Sequence, residues 1–162
     1  MAEKKVFRKK EKKESEFEQK LVDLRRVARV VAGGRRFSFR ATMVIGNRLG
    51  EVGVGTAKGA DTALAIQKAV RLAGKKVIKV NLTKNRTIAH DVYGKFASAR
   101  VLIRPAVEGH GLVAGSSVRV VLDLVGVRNA SAKILSHTKN KISNAYAAIE
   151  ALKKLKYAIT RT

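Results

Sequence analysis

The chain contains no cysteine and no tryptophan, a single proline, and few aromatics, five Phe and three Tyr. Without cysteine there is no disulfide, no thiolate zinc site and no thiol nucleophile, a composition that fits a cytosolic protein. The scarcity of aromatics disfavours a reader that stacks single-stranded bases on exposed rings. Contacts to sugar, phosphate and duplex shape fit better. Long apolar runs are missing too. No stretch approaches the ~18–20 apolar residues of a transmembrane helix. The N-terminus is charged at Glu3, Lys4, Lys5 and from Arg8 to Lys13, with nothing apolar behind it, so it reads as no secretory signal. Acid is equally scarce. Beyond the first 23 residues the carboxylates are Glu51, Asp61, Asp91, Glu108, Asp123 and Glu150, all isolated, which leaves no paired carboxylates for acid–base chemistry. His90, His110 and His137 show no metal-ligand spacing. His90 and Asp91 are adjacent and would face opposite sides of a strand.

What is present is base. Lys and Arg number 35 against 12 Asp and Glu, a net charge of +23 over 162 residues. Residues 1–23 contribute only +2 of this, so the excess lies on the part that also carries the apolar periodicity. A folded domain this basic repels itself unless a polyanion neutralises it, and nucleic acid is the polyanion with a dense line of charge. A membrane-surface role would concentrate the charge on one amphipathic helix, whereas here it is spread along the chain. Apolar residues make up 46%, enough for a real core in one domain or two small ones.

Residues 1–16 mix both signs and read as a solvated arm or as one that orders on RNA. Phe17 to Val31 is ambiguous: Leu21, Leu24, Ala28 and Val31 recur at helical spacing, while VARVV and the following glycines favour a strand. Phe37, Phe39, Ala41, Met43 and Ile45 then alternate with Arg36, Ser38, Arg40 and Thr42, which predicts a half-buried strand with a wet, basic side. Gly46-Asn47-Arg48-Leu49-Gly50 is a hairpin loop, Gly and Asn being tolerant of positive φ. Val52, Val54 and Thr56 alternate with Gly53 and Gly55, whose missing side chains admit another backbone or a helix. Asp61 is a helix N-cap, followed by Ala63, Ile66, Val70 and Ala73 on one face and Lys68, Arg71 and Lys75 in solvent. Residues 77–82 read as a strand and 84–87 as a turn. From Thr87 two strands are expected, joined around Tyr93-Gly94-Lys95, the second carrying Val101 and Ile103 and ending at Pro105. A glycine-rich loop follows, then a helix capped by Ser116 or Ser117 with Val118, Val121, Leu122 and Val125 on one face. SAKILSHT is a strand. The last helix spans about Lys141 to Tyr157, with Ala145, Ile149, Leu152 and the stem of Lys156 inward. The order is β-β-β-α-β then β-β-α-β-α, two small α+β units split near residue 85.

The strongest local signal is the cluster Arg25, Arg26, Arg29, Gly33, Gly34, Arg35, Arg36 and Arg40. Two glycines free the backbone at a strand-to-strand tip and arginines flank it. The planar guanidinium fork suits phosphate oxygens, and Ser38 and Thr42 can add hydroxyl contacts to phosphate or 2′-OH. The bland alternative is an exposed hairpin with a solvated basic face. Further RNA-contacting candidates are Lys58, Lys68, Arg119, Lys139 and Lys141. The loop Gly109–Gly115 opens a helix and could cradle phosphate with backbone N–H groups, but no Walker lysine or Rossmann acid stands at the required offset.

The run GGRRFSF…GNRLGEVGVGTAKG…AIQKA, followed by SARVLIRPAVEGHGLVAG and VRVVLDLVGV, resembles the bacterial small-subunit ribosomal protein five family over residues 17–156. The resemblance implies an α+β fold: a double-stranded-RNA-binding-domain-like β-β-β-α unit, then a small α/β (β-β-α-β-α) domain of a kind shared with some small-molecule kinases. With the element order and the mixed-charge start, the expected division is a flexible arm over 1–16 and domains over 17–85 and 86–162. It favours the strand for Phe17–Val31. It also implies that the first hairpin loop, here Val30 to Arg36, reaches into small-subunit ribosomal RNA near the head–body junction and is associated with spectinomycin resistance. Further implied are packing against small-subunit proteins four and eight, a place beside the messenger RNA entry path, and an effect on decoding accuracy. The chain departs from the family pattern at Asn47, commonly Asp, at Arg86, commonly Gly, and at Lys141, commonly Pro. Asn140 can still cap the last helix.

The expectation is therefore a structural constituent of the small ribosomal subunit, cytoplasmic, with no cofactor, metal or small-molecule substrate. Two alternatives stand beside it: a non-ribosomal basic nucleic-acid-binding protein, and a small-molecule kinase-like enzyme using the Gly109–Gly115 loop.

Overall fold

The computed structural model describes residues 17–83 and 85–155; the expected arm over 1–16 and the inward stem of Lys156 lie outside them. Eleven elements follow in order among these residues: β1 (Glu18–Val31), β2 (Gly34–Gly46), β3 (Glu51–Gly59), α1 (Thr62–Gly74), β4 (Ile78–Lys79), β5 (Val92–Phe96), β6 (Ala99–Pro105), β7 (Leu112–Val113), α2 (Ser116–Val125), β8 (Ala130–Ile134) and α3 (Lys141–Lys153). The ambiguous segment is a strand, β1. The first sheet runs β1-β2-β3-β4, antiparallel throughout, and the second runs β5-β6-β8-β7, with β7 parallel to β8.

Helix α1 lies on one face of the first sheet. Ala65, Ala69 and Ala73 are its buried residues, and each meets a glycine of β3. A Cβ built on Gly59 would crowd Ala65, one on Gly55 would strike the carbonyl of Ala69, and one on Gly53 the carbonyl of Ala73. The close approach expected of Gly53 and Gly55 is thus made by a helix. The inward face of that helix differs from the expected one. Ala63 is exposed, and Ile66 and Val70 are half-buried, because the helix turns its smallest side chains onto the bare backbone of β3. Asp61 caps it as expected, accepting from the N–H of Ala63 at 3.4 Å.

The other face of the first sheet packs on the second unit. Val44, Val52, Val54 and Val80 join Val101, Leu122, Leu124, Val125 and Ala148 in a single apolar cluster. Thr42 is fully buried there, its hydroxyl 3.1 Å from that of Thr56. The side of β2 expected to be wet is therefore wet only from Arg36 to Arg40. The 46–50 loop seals the contact: Arg48 N–H donates to the carbonyl of Leu124, Gly50 N–H to that of Val125, both at 2.9 Å. Its positive-φ residues are Arg48 (56°) and Gly50 (101°), rather than Gly46 or Asn47. Asn47 shapes the loop with its side chain, whose Oδ1 accepts from Leu49 N–H (2.8 Å) and Glu51 N–H (3.1 Å).

Four further expectations are corrected, three of them in the second unit. The turn between β5 and β6 falls at Ala97-Ser98, with Ala97 at φ 50°. Gly94 stands inside β5, where a Cβ would strike the carbonyl of Ala147 on α3, so this glycine serves packing and not turning. Helix α2 is preceded by Gly115 with no side-chain cap, so neither Ser116 nor Ser117 caps it. Residues 77–82 pair only at Ile78 and Lys79, and the glycine-rich loop contains the unexpected short strand β7. Asn140 does cap α3, accepting from Ile142 N–H at 3.2 Å, although Lys141 stands where proline is common.

Candidate nucleic-acid interface

Strands β1 and β2 outrun the sheet. The last pair between β2 and β3 is Phe39 with Gly59, while β1 and β2 remain paired to Val31 and Gly34. At ~3.3 Å per residue the two-stranded ribbon projects about 16 Å beyond β3. Residues that pair across an antiparallel ladder share a face, so the register sorts the arginines. Arg25 pairs with Arg40, Val27 with Ser38 and Arg29 with Arg36, and Arg40 pairs onward with Lys58 of β3. One face thus carries Arg25, Arg40 and Lys58 as a row across three strands, with Arg29 and Arg36 nearer the tip. The opposite face carries Arg26 with Phe39, Ala28 with Phe37, and Val30 with Arg35.

A break in register between Leu21 and Asp23 aligns Asp23 with Thr42, on the arginine face. Its carboxylate accepts from Arg25 Nε at 3.0 Å. Among the described residues Arg26, Arg29, Arg35, Arg36 and Arg40 make no ion pair. Arg40 Nε is buried without a hydrogen-bond partner there. Several like charges on one ribbon are an arrangement that raises the free energy of the free protein and lowers it beside an anion. Gly34, at φ 131°, turns the tip; neither it nor Gly33 has an atom within 4 Å of where a Cβ would stand.

The remaining candidates are not gathered here. Lys68 is exposed on α1, the helix over the second face, while Arg119 is exposed on α2 and Lys139 and Lys141 at the start of α3. The Gly109–Gly115 loop borders a separate cleft of about 410 Å³ with Asn85, Arg86, Glu108, Arg128 and Asn129. Gly109 and Gly111 have positive φ, as does Arg86 at 51°, so arginine occupies a left-handed position that suits glycine better. Buried Asn129 organises this cleft: its Oδ1 accepts from Gly111 N–H, its Nδ2 donates to the Asn85 carbonyl, and its own carbonyl accepts from Thr87 Oγ1 at 2.6 Å. A lone asparagine has no spacing signature, so nothing in the sequence singles it out. Among the described residues no group of histidines and carboxylates could hold a metal ion, and no helix is long and apolar enough to cross a membrane.

Comparison with known proteins decides the family. The model of the ribosomal protein S5 N-terminal domain matches residues 17–81, and that of the S5 C-terminal domain matches residues 94–159. The chain belongs to the ribosomal protein S5 family. The small ribosomal subunit protein uS5 of Thermosynechococcus vestitus is 46% identical over 156 residues, covering 96% of this chain and 89% of that one. The uS5c protein of Rhodomonas salina is 46% identical over 144 residues, 89% of this chain and 85% of its own. The uS5 of Synechococcus elongatus is 46% identical over 144 residues, 89% and 79% of the two chains. As an S5 family member the protein is a structural component of the small ribosomal subunit, with ribosomal RNA as its partner, and not an enzyme. The kinase-like reading of the Gly109–Gly115 loop and the non-ribosomal reading both fall with this.

Proposed function

We propose that the β1–β2 ribbon is the main hold of this S5 family protein on ribosomal RNA, with Arg25, Arg29, Arg36, Arg40 and Lys58 lying along the phosphate backbone. The single observation that carries the reading is the in-register row Arg25, Arg40, Lys58 with Arg29 and Arg36 beyond it, in which Asp23 is the one carboxylate that pairs with an arginine of the row among the described residues. Antiparallel strands stand ~4.8 Å apart, so the row presents cations at a regular pitch on a rigid support, where phosphate contacts fix position and orientation. Arg26 and Arg35 on the second face and Lys68 on α1 extend the contact to the other side of the ribbon. Arg119, Lys139 and Lys141 belong to a second patch on the C-terminal unit. The division into a 1–16 arm, an RNA-binding unit over 17–85 and a second unit over 86–162 accompanies this reading. So does the rest of the family resemblance: Gly33 and Gly34 at the loop inserted near the head–body junction, neighbours in small-subunit proteins four and eight, a place by the messenger entry path, and an influence on assembly and accuracy.

Titration of the full chain against small-subunit ribosomal RNA tests it. With about 6–10 phosphates engaged, affinity falls about 10³–10⁵-fold between about 50 and 200 mM salt. Arg35→Glu with Arg36→Glu weakens binding and flattens the salt slope by about 2, with the far-UV circular dichroism unchanged because both side chains stand exposed. A flat salt response in the parent protein would sink the proposal.

A further inference from the structure

The ribbon's two faces differ in chemistry, and the second face has an unexplained aromatic. Phe39 and Phe37 point the same way from β2, two residues apart. Phe39 is half-buried against the Ala41, Met43, Ala65 and Ala69 cluster under α1. Phe37 lies one step past the end of β3, where no helix reaches, and is 53% exposed. Arg26, diagonal to it across the ladder, holds its guanidinium 4.5 Å from the ring centroid. Val30, 76% exposed, pairs with Arg35 nearer the tip. An exposed phenyl ring held by a cation is a poor element of a solvated surface and adds nothing to the core. Arginine-flanked aromatics do have a use beside a polyanion: every nucleobase has a π-face, and stacking on Phe or on a guanidinium plane is a common way to hold an unpaired base. The charge around the ring argues for RNA and against an apolar protein partner, since docking on protein would bury Arg26 and Arg35 without counter-charge.

We infer that Phe37 and Arg26 form a stacking site for one unpaired nucleobase of the ribosomal RNA, on the face of the ribbon opposite the phosphate-binding row. The inference rests on the ribbon being an RNA contact, and adds to it a base-directed site. It also explains how a chain with so few aromatics can still use one: only one ring needs to be bare, and the end of β3 leaves it so. The ribbon then acts as a wedge, with backbone held on one side and a splayed base on the other.

The test uses small subunits reconstituted with the full-length parent protein, Phe37→Leu or Phe37→Tyr, each mapped two ways. Hydroxyl-radical footprinting reads backbone protection, and 2′-hydroxyl acylation reads nucleotide mobility. The expected result is one nucleotide at the ribbon that is immobile with the parent and with Phe37→Tyr but reactive with Phe37→Leu, while the backbone footprint stays the same in all three. In binding to free ribosomal RNA, Phe37→Leu loses about 5–150-fold, the equivalent of about 1–3 kcal/mol for one stacked base, at an unchanged salt slope. Equal acylation patterns in parent and Phe37→Leu subunits, with the footprint intact, overturn the stacking site and leave the phosphate contact standing. Absence of any ribbon footprint in the parent overturns both.

Discussion

Gly33 and Gly34 stand side by side at the ribbon tip and do different things. Gly34 has φ 131°, a backbone region that side chains with a Cβ resist, whereas Gly33 does not have positive φ, and both have open space around them. Substitution therefore separates backbone strain from crowding. Gly34→Ala is expected to destabilise by about 1–3 kcal/mol and to speed amide exchange at Arg29 and Arg36, while Gly33→Ala stays within about 0.5 kcal/mol. Equal effects at the two positions would show that the tip relaxes and the conformation is incidental. Asn129 makes a second case at this scale. Replacing it with Ala leaves the half-buried Gly111 N–H without its acceptor and removes the bond to the Asn85 carbonyl, while the Thr87 hydroxyl keeps its bond to the backbone carbonyl of residue 129, a loss of about 1–3 kcal/mol for a donor left unpaired. A urea midpoint shifted down with unchanged slope is the expected reading; an unmoved midpoint would mean water takes over those bonds. The sequence shows the paired glycines at the tip but cannot say which one carries the positive φ. It shows nothing of Asn129, whose partners come from loops distant in the chain.

Glycines placed inside strands tell more about helix packing than about turns. Gly53, Gly55 and Gly59 of β3 meet α1, and Gly94 of β5 meets α3. The alternation of Gly53 and Gly55 with valine makes the first contact legible in the sequence. Gly94 reads there as a turn because glycine signals both, and only the partner helix distinguishes them. The same contact explains why the inward face of α1 departs from its apolar spacing: large apolar residues normally point inward, but here the bare strand accepts alanine and pushes Ile66 and Val70 to the flank. Gly55→Ala puts a methyl group into the carbonyl of Ala69 and the N–H side of Ala73. Backbone on both sides cannot rotate away, so the helix must lift, an overpacking of about 1–3 kcal/mol or more. Thermal unfolding of Gly55→Ala beside Gly74→Ala makes the comparison, since a Cβ at Gly74 has only the end of the Ile45 side chain at 4.0 Å. A Gly55→Ala protein as stable as Gly74→Ala would mean that α1 is free to ride away from the strand.

The whole molecule balances a shared core against its own charge. Val44, Val52 and Val54 of the first sheet lie in one cluster with Leu124, Val101 and Ala148 of the second unit. The two-unit order is legible from element spacing, but the burial of Thr42 and Val44 is not, because the surface that covers them comes from residues about 80 positions later. That core must hold together a net charge of +23. The ion pairs available among the described residues, Lys20–Asp123, Arg25–Asp23, Arg48–Glu18, Arg104–Asp91 and Lys153–Glu150, each have at least one side chain about half exposed, and exposed pairs add little. Repulsion among the remaining cations outweighs them, and salt screens that repulsion over a Debye length of about 8–10 Å near physiological strength. Salt should therefore act in opposite directions on the two states of the protein. Free in solution, its melting temperature rises between about 50 and 500 mM sodium chloride, each 1 kcal/mol of relieved repulsion giving about 2–4 °C. On ribosomal RNA the same addition weakens the complex, because the counterions released on binding must be returned to a more concentrated bath. A free-protein melting temperature that falls with sodium chloride would mean that local ion pairs, not the field of the cations, dominate its stability, and the ribbon's arginines would lose their energetic reason to seek a polyanion.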